Sequence, residues 1–157
     1  MICVVQRVSS ANVMVDTRVV GEIQRGIVVM AAVHRTDAPD DIAWMARKLA
    51  SMRIFPRGER NFDQDVAQIN GSILLVSNFT VAADARKGRR PSLDAAADPV
   101  AGRAGFEQLV AAVRALGVHV QTGEFGADMK VTLTNDGPGT FLLDSRDKPA
   151  SADMAAQ

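Results

Sequence analysis

Residues 26–33 of the chain, Gly-Ile-Val-Val-Met-Ala-Ala-Val, form an apolar run without a single charged side chain. A run of this length is typical of a strand that is buried on both faces, whereas a surface strand alternates apolar and polar positions. The run therefore predicts a strand inside a covered sheet.

A helix is predicted directly after this strand. Asp37 is the predicted N-cap and Pro39 lies in the first turn, where its missing N–H is not needed. Apolar side chains then recur at helical spacing, at Ile42, Met45, Ala46, Leu49 and Met52. A second helix is predicted to begin at Asp98-Pro99 and to end at Gly117. Its expected apolar stripe is made of Phe106, Leu109, Val110, Val113 and Leu116.

The other apolar segments are short and rich in β-branched residues, which is typical of strands. They cover residues 2–8, 12–15, 18–24, 53–55, 72–81, 118–120, 129–134 and 140–143, with a polar loop predicted over residues 57–71. Because these strands do not alternate strictly with helices, the order predicts an α+β fold with a mainly antiparallel sheet. One domain over residues 1–143 is expected, followed by a disordered tail over residues 144–157 that is rich in Ala, Ser, Asp and Lys.

The composition excludes several classes of protein. The 157 residues are 47% hydrophobic and 23% charged, which is ordinary for a globular domain. Eighteen basic and eighteen acidic side chains cancel, so net charge predicts no strong adhesion to nucleic acid or to an anionic membrane. The single cysteine, Cys3, excludes an intramolecular disulfide and indicates a reducing compartment. No signal peptide or membrane span is recognised, and we expect a soluble cytoplasmic protein.

Few residues could support metal or histidine chemistry. One cysteine and two histidines, His34 and His119, stand far apart in the sequence, so we expect no metal and no cofactor. Each histidine follows or interrupts an apolar strand and is interpreted as structural. Motifs such as Gly-x-Ser-x-Gly, Gly-x-Gly-x-x-Gly and the Walker phosphate loop do not occur.

Two polar insertions call for another explanation. Ser77-Asn78-Phe79-Thr80 interrupts an apolar strand with three hydrogen-bonding side chains, and residues 135–140 read Asn-Asp-Gly-Pro-Gly-Thr. Taken alone, the first is compatible with an edge strand that meets solvent. The second is compatible with a hairpin turn, since Asn, Asp, Gly and Pro are turn residues.

Seven short segments follow one another in an informative order. They are Val5-Gln6-Arg7-Val8, Arg53-Ile54-Phe55, Ser77-Asn78-Phe79-Thr80-Val81, Lys87-Gly88-Arg89-Arg90-Pro91-Ser92, Gln121-Thr122-Gly123, Phe125-Gly126-Ala127-Asp128-Met129 and Asn135-Asp136-Gly137-Pro138. Any one of them is weak evidence, but the ordered set, which runs from Met1 to about Leu143, resembles the D-aminoacyl-tRNA deacylase family.

The resemblance implies a homodimer with a barrel-like sheet that hydrolyses the ester between a D-amino acid and the terminal ribose of tRNA. L-aminoacyl-tRNA would be rejected, while glycine mischarged on tRNA-Ala is a further substrate to consider. It also implies a cis Gly137-Pro138 peptide bond that projects from one subunit into the active site of the other as a chirality filter.

The resemblance also assigns roles to other residues. Ser77, Asn78, Phe79 and Thr80 would line the ester pocket as the catalytic segment, and Phe125 and Met129 would lie beside it. Arg7 would brace the Gly-Pro dipeptide. Main-chain N–H groups near Phe79 and Thr80, or the Thr80 hydroxyl, could bind the developing oxyanion. Because a threonine nucleophile needs an adjacent base, Thr80 is interpreted as an orienting and stabilising group, with the neighbouring 2′-hydroxyl of the tRNA assisting.

Arg86, Lys87, Arg89 and Arg90 place four positive charges in five positions. This cluster is compatible with a solvated surface turn, or with contacts to tRNA phosphates if tRNA is the partner.

Two positions depart from the family pattern, since Asn78 stands where Gln is usual and Gly139 where a β-branched Val is usual. These departures leave open a related editing enzyme for a different mischarged amino acid. A second alternative is a non-catalytic protein that binds tRNA acceptor ends, with the same pocket but no turnover. A metal-dependent hydrolase is disfavoured by the missing ligands.

Overall fold

A computed structural model describes residues 1–149 of the protein. Its elements, in chain order, are β1 (Ile2–Val15), β2 (Arg18–Ile23), β3 (Gly26–Ala32), α1 (Pro39–Ser51), β4 (Phe55–Arg57), β5 (Arg60–Gln64), β6 (Ser72–Ser77), α2 (Pro99–Ala115), β7 (His119–Thr122) and β8 (Met129–Asp144). Short 3-10 helices cover Phe79–Ala82 and Ser145–Asp147.

The main sheet has the order β2-β1-β3-β6-β7, and β8 pairs with the other edge of β1. The β3–β6 and β6–β7 pairs are parallel, while β1 is antiparallel to β2, β3 and β8. The structure thus confirms the α+β fold with a barrel-like, mainly antiparallel sheet. As predicted, β3 is buried on both faces.

The sheet curls because β1 changes partner along its length. Its first half, Ile2–Val8, pairs with β3, and its second half, Ala11–Val15, pairs with β2. The curl brings β2 so close to β7 that a Cβ added at Gly21 would come within 2.5 Å of the Thr122 carbonyl oxygen. The sheet is therefore almost closed.

Two hydrophobic cores result. One lies between the outer face of the sheet and the two helices, and includes Cys3, Val29, Leu75, Leu49 and Leu109. The other fills the inside of the curl and includes Val8, Val13, Val28, Leu74 and Val76. Adjacent positions such as Val28 and Val29 point into different cores, which explains why this run contains no polar residue.

Both α-helices were predicted, but two details were wrong. The N-cap of α1 is Ala38, because the Asp37 carboxylate accepts hydrogen bonds from the His34 N–H at 2.7 Å and from the amino group of Met1. The side chain of Leu116, expected in the core, is 48% exposed, since α2 ends at Ala115 and the chain turns away. Asp98 caps α2 as predicted.

Three strand boundaries differ from the prediction. The strand expected over residues 72–81 ends at Ser77, because the Asn78 side chain binds the backbone and starts a 3-10 helix. The strand expected over residues 53–55 begins at Phe55. The polar segment 57–71, expected as a loop, contains β5, which pairs with β4.

The two strands predicted at residues 129–134 and 140–143 are one strand, β8. Both halves run antiparallel to the same strand, β1, whereas a hairpin turn would reverse the chain between them. Gln6 pairs with Thr140 and Val8 pairs with Asn135, so residues 136–139 bulge out of the ladder opposite Arg7. The hairpin interpretation of this segment is wrong.

Ordered structure continues past the expected domain boundary at residue 143. Asp144 ends β8, and the Ser145 side chain is buried and accepts a hydrogen bond from the Met1 amino group at 2.6 Å. Lys148 pairs with Asp41 of α1 at 2.5 Å. The rest of the predicted tail, residues 150–157, lies outside the described residues. Within residues 1–149, no helix has the length and apolar character needed to cross a membrane.

Candidate active site

A cavity of about 480 Å³ lies between the end of β6, the beginning of α2 and residues 125–129. Five of the residues that sequence analysis singled out line it: Ser77, Asn78, Phe79, Phe125 and Met129. They come from segments some fifty positions apart, which the parallel pairing of β6 with β7 brings side by side. The structure therefore joins the predicted pocket residues in one place.

Small residues that sequence analysis did not select form the opposite wall. Ala96, Ala97 and Gly102 leave the space that larger side chains would fill. The sequence does contain one indication of this wall, namely Gly102 inside the predicted helix, because a glycine there costs about 1 kcal/mol relative to alanine. At Gly102 an added Cβ would meet only ordinary contacts, the nearest being Phe125 Cζ at 3.5 Å. The further lining residues are Ala31, Val33, Leu93, Asp98, Pro99, Phe106, Gly126, Ala127 and Asp128.

Phe125 and Met129 are held from behind. The Arg103 guanidinium lies 4.8 Å from the centroid of the Phe125 ring, and its Nη2 donates to the Phe125 carbonyl at 3.2 Å. Met129 packs over Gly123, where an added Cβ would come within 2.6 Å of the thioether sulfur. Both apolar walls are thus positioned by neighbouring residues.

Asn78 organises the polar end of the cavity. Its Oδ1 accepts from the Thr80 N–H at 3.2 Å and from the Thr80 hydroxyl at 2.6 Å. Thr80 itself is exposed and does not line the cavity. Phe79 N–H donates to no acceptor within residues 1–149. Of the three expected oxyanion donors, the two protons of Thr80 are therefore already used, and the Phe79 amide is free.

Gly137 and Pro138 lie away from this cavity. Both are exposed on the bulge of β8 and neither is a lining residue. The peptide bond between them is cis, as the resemblance implies. Arg7 holds the bulge, since its Nε donates to the Asp136 carbonyl at 2.8 Å and its Nη1 donates to the Ile54 carbonyl at 2.6 Å. Gly139 packs on Arg7 so closely that an added Cβ would lie 2.9 Å from Arg7 Cβ.

The four basic residues lie in a loop that is closed by an antiparallel bridge between Asp84 and Ser92. The Arg86 side chain is already paired within this loop, because its guanidinium donates hydrogen bonds to the Asp84 carboxylate at 2.6 and 2.9 Å. These hydrogen bonds lower the pKa of Asp84 to about 2. Lys87, Arg89 and Arg90 are exposed and have no acidic partner among the described residues. Leu93, one position past the bridge, lines the cavity, so the loop lies beside the cavity entrance.

The cavity has few groups for acid–base chemistry. Its titratable lining side chains are Asp98 and Asp128. Asp98 Oδ1 already accepts from the N–H groups of Val100 and Ala101 at 2.9 and 3.0 Å. The imidazoles of His34 and His119 bind hydroxyl groups elsewhere. Within residues 1–149 no three His, Cys, Asp or Glu side chains gather as metal ligands would. Main-chain donors are the chemistry that this lining offers.

The matching family model and the curated relatives name one group of enzymes. The family model described as D-Tyr-tRNA(Tyr) deacylase matches residues 4–144. The D-aminoacyl-tRNA deacylase of Geobacter sulfurreducens is 47% identical over 148 residues, which cover 94% of this chain and 97% of that protein. The D-aminoacyl-tRNA deacylase of Thermotoga petrophila is 46% identical over 142 residues, covering 90% and 95%.

Solved structures share the fold. One, described as a c-Myc DNA unwinding element binding protein, superposes with a TM-score of 0.87 at 30% identity and covers 96% of this chain and 100% of its own. Another, described as a probable eukaryotic D-amino acid tRNA deacylase, has a TM-score of 0.79 at 18% identity and covers 90% and 97%. At that identity the second likeness concerns the fold alone.

Proposed function

Because the chain belongs to the D-Tyr-tRNA(Tyr) deacylase family and is a hydrolase of the D-aminoacyl-tRNA ester bond, we propose that its cavity holds the D-amino acid and that a second copy of the chain completes the site. The observation that carries this proposal is the separation of the predicted site into two halves. Ser77, Phe79 and Phe125 line the cavity, while Gly137 and Pro138 are exposed elsewhere. Only a partner can bring the second half to the first.

The reaction that fits this lining is attack by water. The water oxygen bonds to the ester carbonyl carbon, and the bond from that carbon to the ribose O3′ breaks. One water proton goes to O3′, and the other leaves the new carboxyl group as it ionises. The free N–H of Phe79 is the donor for the developing oxyanion, a role in which a preorganised donor is worth about 10²–10³ in kcat. The 2′-hydroxyl of the tRNA helps to position the water.

The filter that we propose is steric. Main-chain carbonyls of Gly137 and Pro138 of the partner subunit would hold the α-amino group of the substrate. An L side chain would then point into that segment, whereas a D side chain points away from it into the apolar cavity. Glycine has no side chain to clash, so glycyl-tRNA would be accepted.

The surface of the sheet next to the bulge supports a dimer. Leu142 is 70% exposed, and it pairs with Val4, which in turn pairs with Met30. Residues directly opposite one another in a sheet share a face, so these three side chains form one partly exposed apolar patch. Its Leu142 lies on β8, the strand that also carries Gly137-Pro138, and we propose that a second copy of the chain covers the patch.

The tRNA would be held by the basic loop. Lys87, Arg89 and Arg90 are exposed beside the cavity entrance and have no acidic partner among residues 1–149. They are free to contact backbone phosphates, whereas Arg86 is paired with Asp84. Since aminoacyl-tRNA is used in the cytoplasm, the protein is proposed to act there.

Deacylation assays on chelator-treated protein test the proposal. D-Tyr-tRNA, L-Tyr-tRNA and Gly-tRNA are each incubated with wild type, with Gly102→Leu, which fills the cavity, and with Ala104→Leu, a matched change on the exposed side of α2. We expect rapid loss of D-Tyr and Gly, little loss of L-Tyr, and an inactive Gly102→Leu variant. Binding of tRNA without turnover would support the non-catalytic alternative, and preferred turnover of an L substrate would support the different editing enzyme.

A further inference from the structure

We propose that Asn78 positions Thr80 so that the threonine hydroxyl accepts a hydrogen bond from the bound substrate and cannot donate one. The inference deepens the proposed function and rests on it. Asn78 stands where the resemblance implies glutamine, and in this chain its shorter side chain is the group that contacts Thr80.

The orientation of the Asn78 carboxamide follows from its neighbours. The Thr80 backbone N–H can only donate, and it points at one end of the carboxamide at 3.2 Å. That end must be the oxygen, Oδ1, since two donors cannot bind one another. The other end, Nδ2, lies 3.8 Å from the thioether of Met30, which is a weak acceptor. The carboxamide is therefore held in one orientation.

The orientation of the Thr80 hydroxyl follows in turn. Its oxygen lies 2.6 Å from the same Oδ1, which has no proton to give. The hydroxyl proton must therefore lie between the two oxygens. A hydroxyl has one proton and two lone pairs, so the free side of Thr80 presents lone pairs only. Such a group stabilises a donor on the substrate and gives nothing to an oxyanion.

Two donors flank the ester in a D-aminoacyl-tRNA, namely the 2′-hydroxyl of the ribose and the α-ammonium group. Thr80 is exposed and lies outside the cavity lining, one residue beyond Phe79, which does line it. Because this acceptor directly follows a lining residue, we expect it to be within reach of either donor. The chemistry that they share is an N–H or O–H group beside the ester carbonyl.

Binding of three ligands distinguishes these donors. The ligands are D-tyrosine joined by an amide to 3′-amino-adenosine, which cannot be hydrolysed as an ester, its 2′-deoxy analogue and its desamino analogue. Each is titrated against wild type, Thr80→Val, Thr80→Ser, Asn78→Ala, the double variant Asn78→Ala/Thr80→Val, and the control Thr17→Val in the exposed β1–β2 turn.

We expect Thr80→Val to weaken binding of the full ligand about two- to tenfold if the donor is the neutral 2′-hydroxyl, and by more than about tenfold if it is the charged ammonium. Thr80→Ser and Thr17→Val should bind like wild type. Asn78→Ala should also weaken binding, and the double variant should lose no more than Thr80→Val alone. The Thr80→Val loss should vanish on the 2′-deoxy ligand if the ribose is the donor, or on the desamino ligand if the ammonium is.

A Thr80→Val loss that is equal on all three ligands would indicate a merely structural effect and would overturn the inference, as would no loss on any of them. Full additivity of the Asn78 and Thr80 changes would also contradict it. These outcomes differ from failure of the proposed function, in which wild type neither binds the full ligand nor deacylates D-Tyr-tRNA.

Discussion

Two arginines of the basic loop differ in whether their side chains form an ion pair. Arg86 binds Asp84, whereas Arg89 is exposed and unpaired among the described residues. Each phosphate contact contributes about 0.9 to the slope of log K against log salt. We therefore expect Arg89→Ala to flatten the slope of tRNA binding by about 0.9, and Arg86→Ala to flatten it less. Equal slopes for wild type and Arg89→Ala would support the interpretation of the loop as a solvated surface turn that does not contact tRNA.

The same ion pair has a defined pH range. Because Arg86 holds the pKa of Asp84 at about 2, below its ordinary value of 3.8, the ion pair is fully formed above about pH 4. It is lost only as the pH falls through about 2. The loop therefore keeps this contact throughout the range in which tRNA binding is measured.

The thiol of Cys3 is expected to be unreactive in the folded protein. Burial under the helices raises the pKa of its thiol to about 12, because the thiolate is poorly solvated there. At pH 8 the native protein should not react with the disulfide reagent DTNB, while the Cys3 thiolate of the urea-unfolded protein should form a mixed disulfide with it and release one equivalent of thionitrobenzoate. Rapid reaction of the native protein at pH 8 would contradict this assignment.

At the scale of elements, the bulge of β8 is fixed by its contact with β1. Gly139 lies against Arg7, so a valine there would press on Arg7 Cβ and disturb the bonds from Arg7 to Asp136 and Ile54. We expect Gly139→Val to reduce the free energy of unfolding by about 1–3 kcal/mol, the range for overpacking. Urea denaturation measures it, with the exposed Thr132→Val on the same strand as control. A Gly139→Val variant that is more stable than wild type would contradict this prediction and show that the Arg7 side chain moves to accommodate the valine.

The sequence predicted those elements whose conformation is determined by residues close together in the chain. The apolar run of β3 and the Asp98 cap of α2 each depend on a few consecutive residues, and both were predicted correctly. Residues 135–139 were not, because their conformation depends on pairing with residues 6–8, about 130 positions away. Asp37 was misassigned for the same reason, since its carboxylate binds the amino group of Met1.

The site was predictable in part. The ordered motifs identified Ser77, Phe79, Phe125 and Met129, all of which line one cavity. The use of both Thr80 protons by Asn78 was not predictable, because it depends on the strand ending at Ser77 and not at Val81. Ala96, Ala97 and Gly102, at and before the beginning of α2, carry no chemistry of their own, so their place in the cavity wall is seen only in the packing.

At the scale of the whole molecule, the proposed dimer depends on the patch around Leu142. Because Leu142 is 70% exposed, Leu142→Asp should leave the subunit folded while placing a charge in the interface. We expect light scattering to show a monomer and deacylation to be lost with it. Leu116→Asp, at a half-exposed leucine beyond α2, is the matched control and should remain a dimeric, active protein. A fully active Leu142→Asp monomer would contradict the proposal that a second subunit completes the site.

The most direct measurement uses a purified heterodimer of two inactive variants. One subunit carries Gly102→Leu, which fills the cavity. The other carries Gly137→Val, whose Cβ would clash with the Gly139 nitrogen and so disrupt the bulge. If each cavity is completed by the bulge of the other subunit, one of the two symmetric sites is intact, and D-Tyr-tRNA deacylation should recover to roughly half of the wild-type rate. A heterodimer as inactive as either parent would show that each chain builds its site alone.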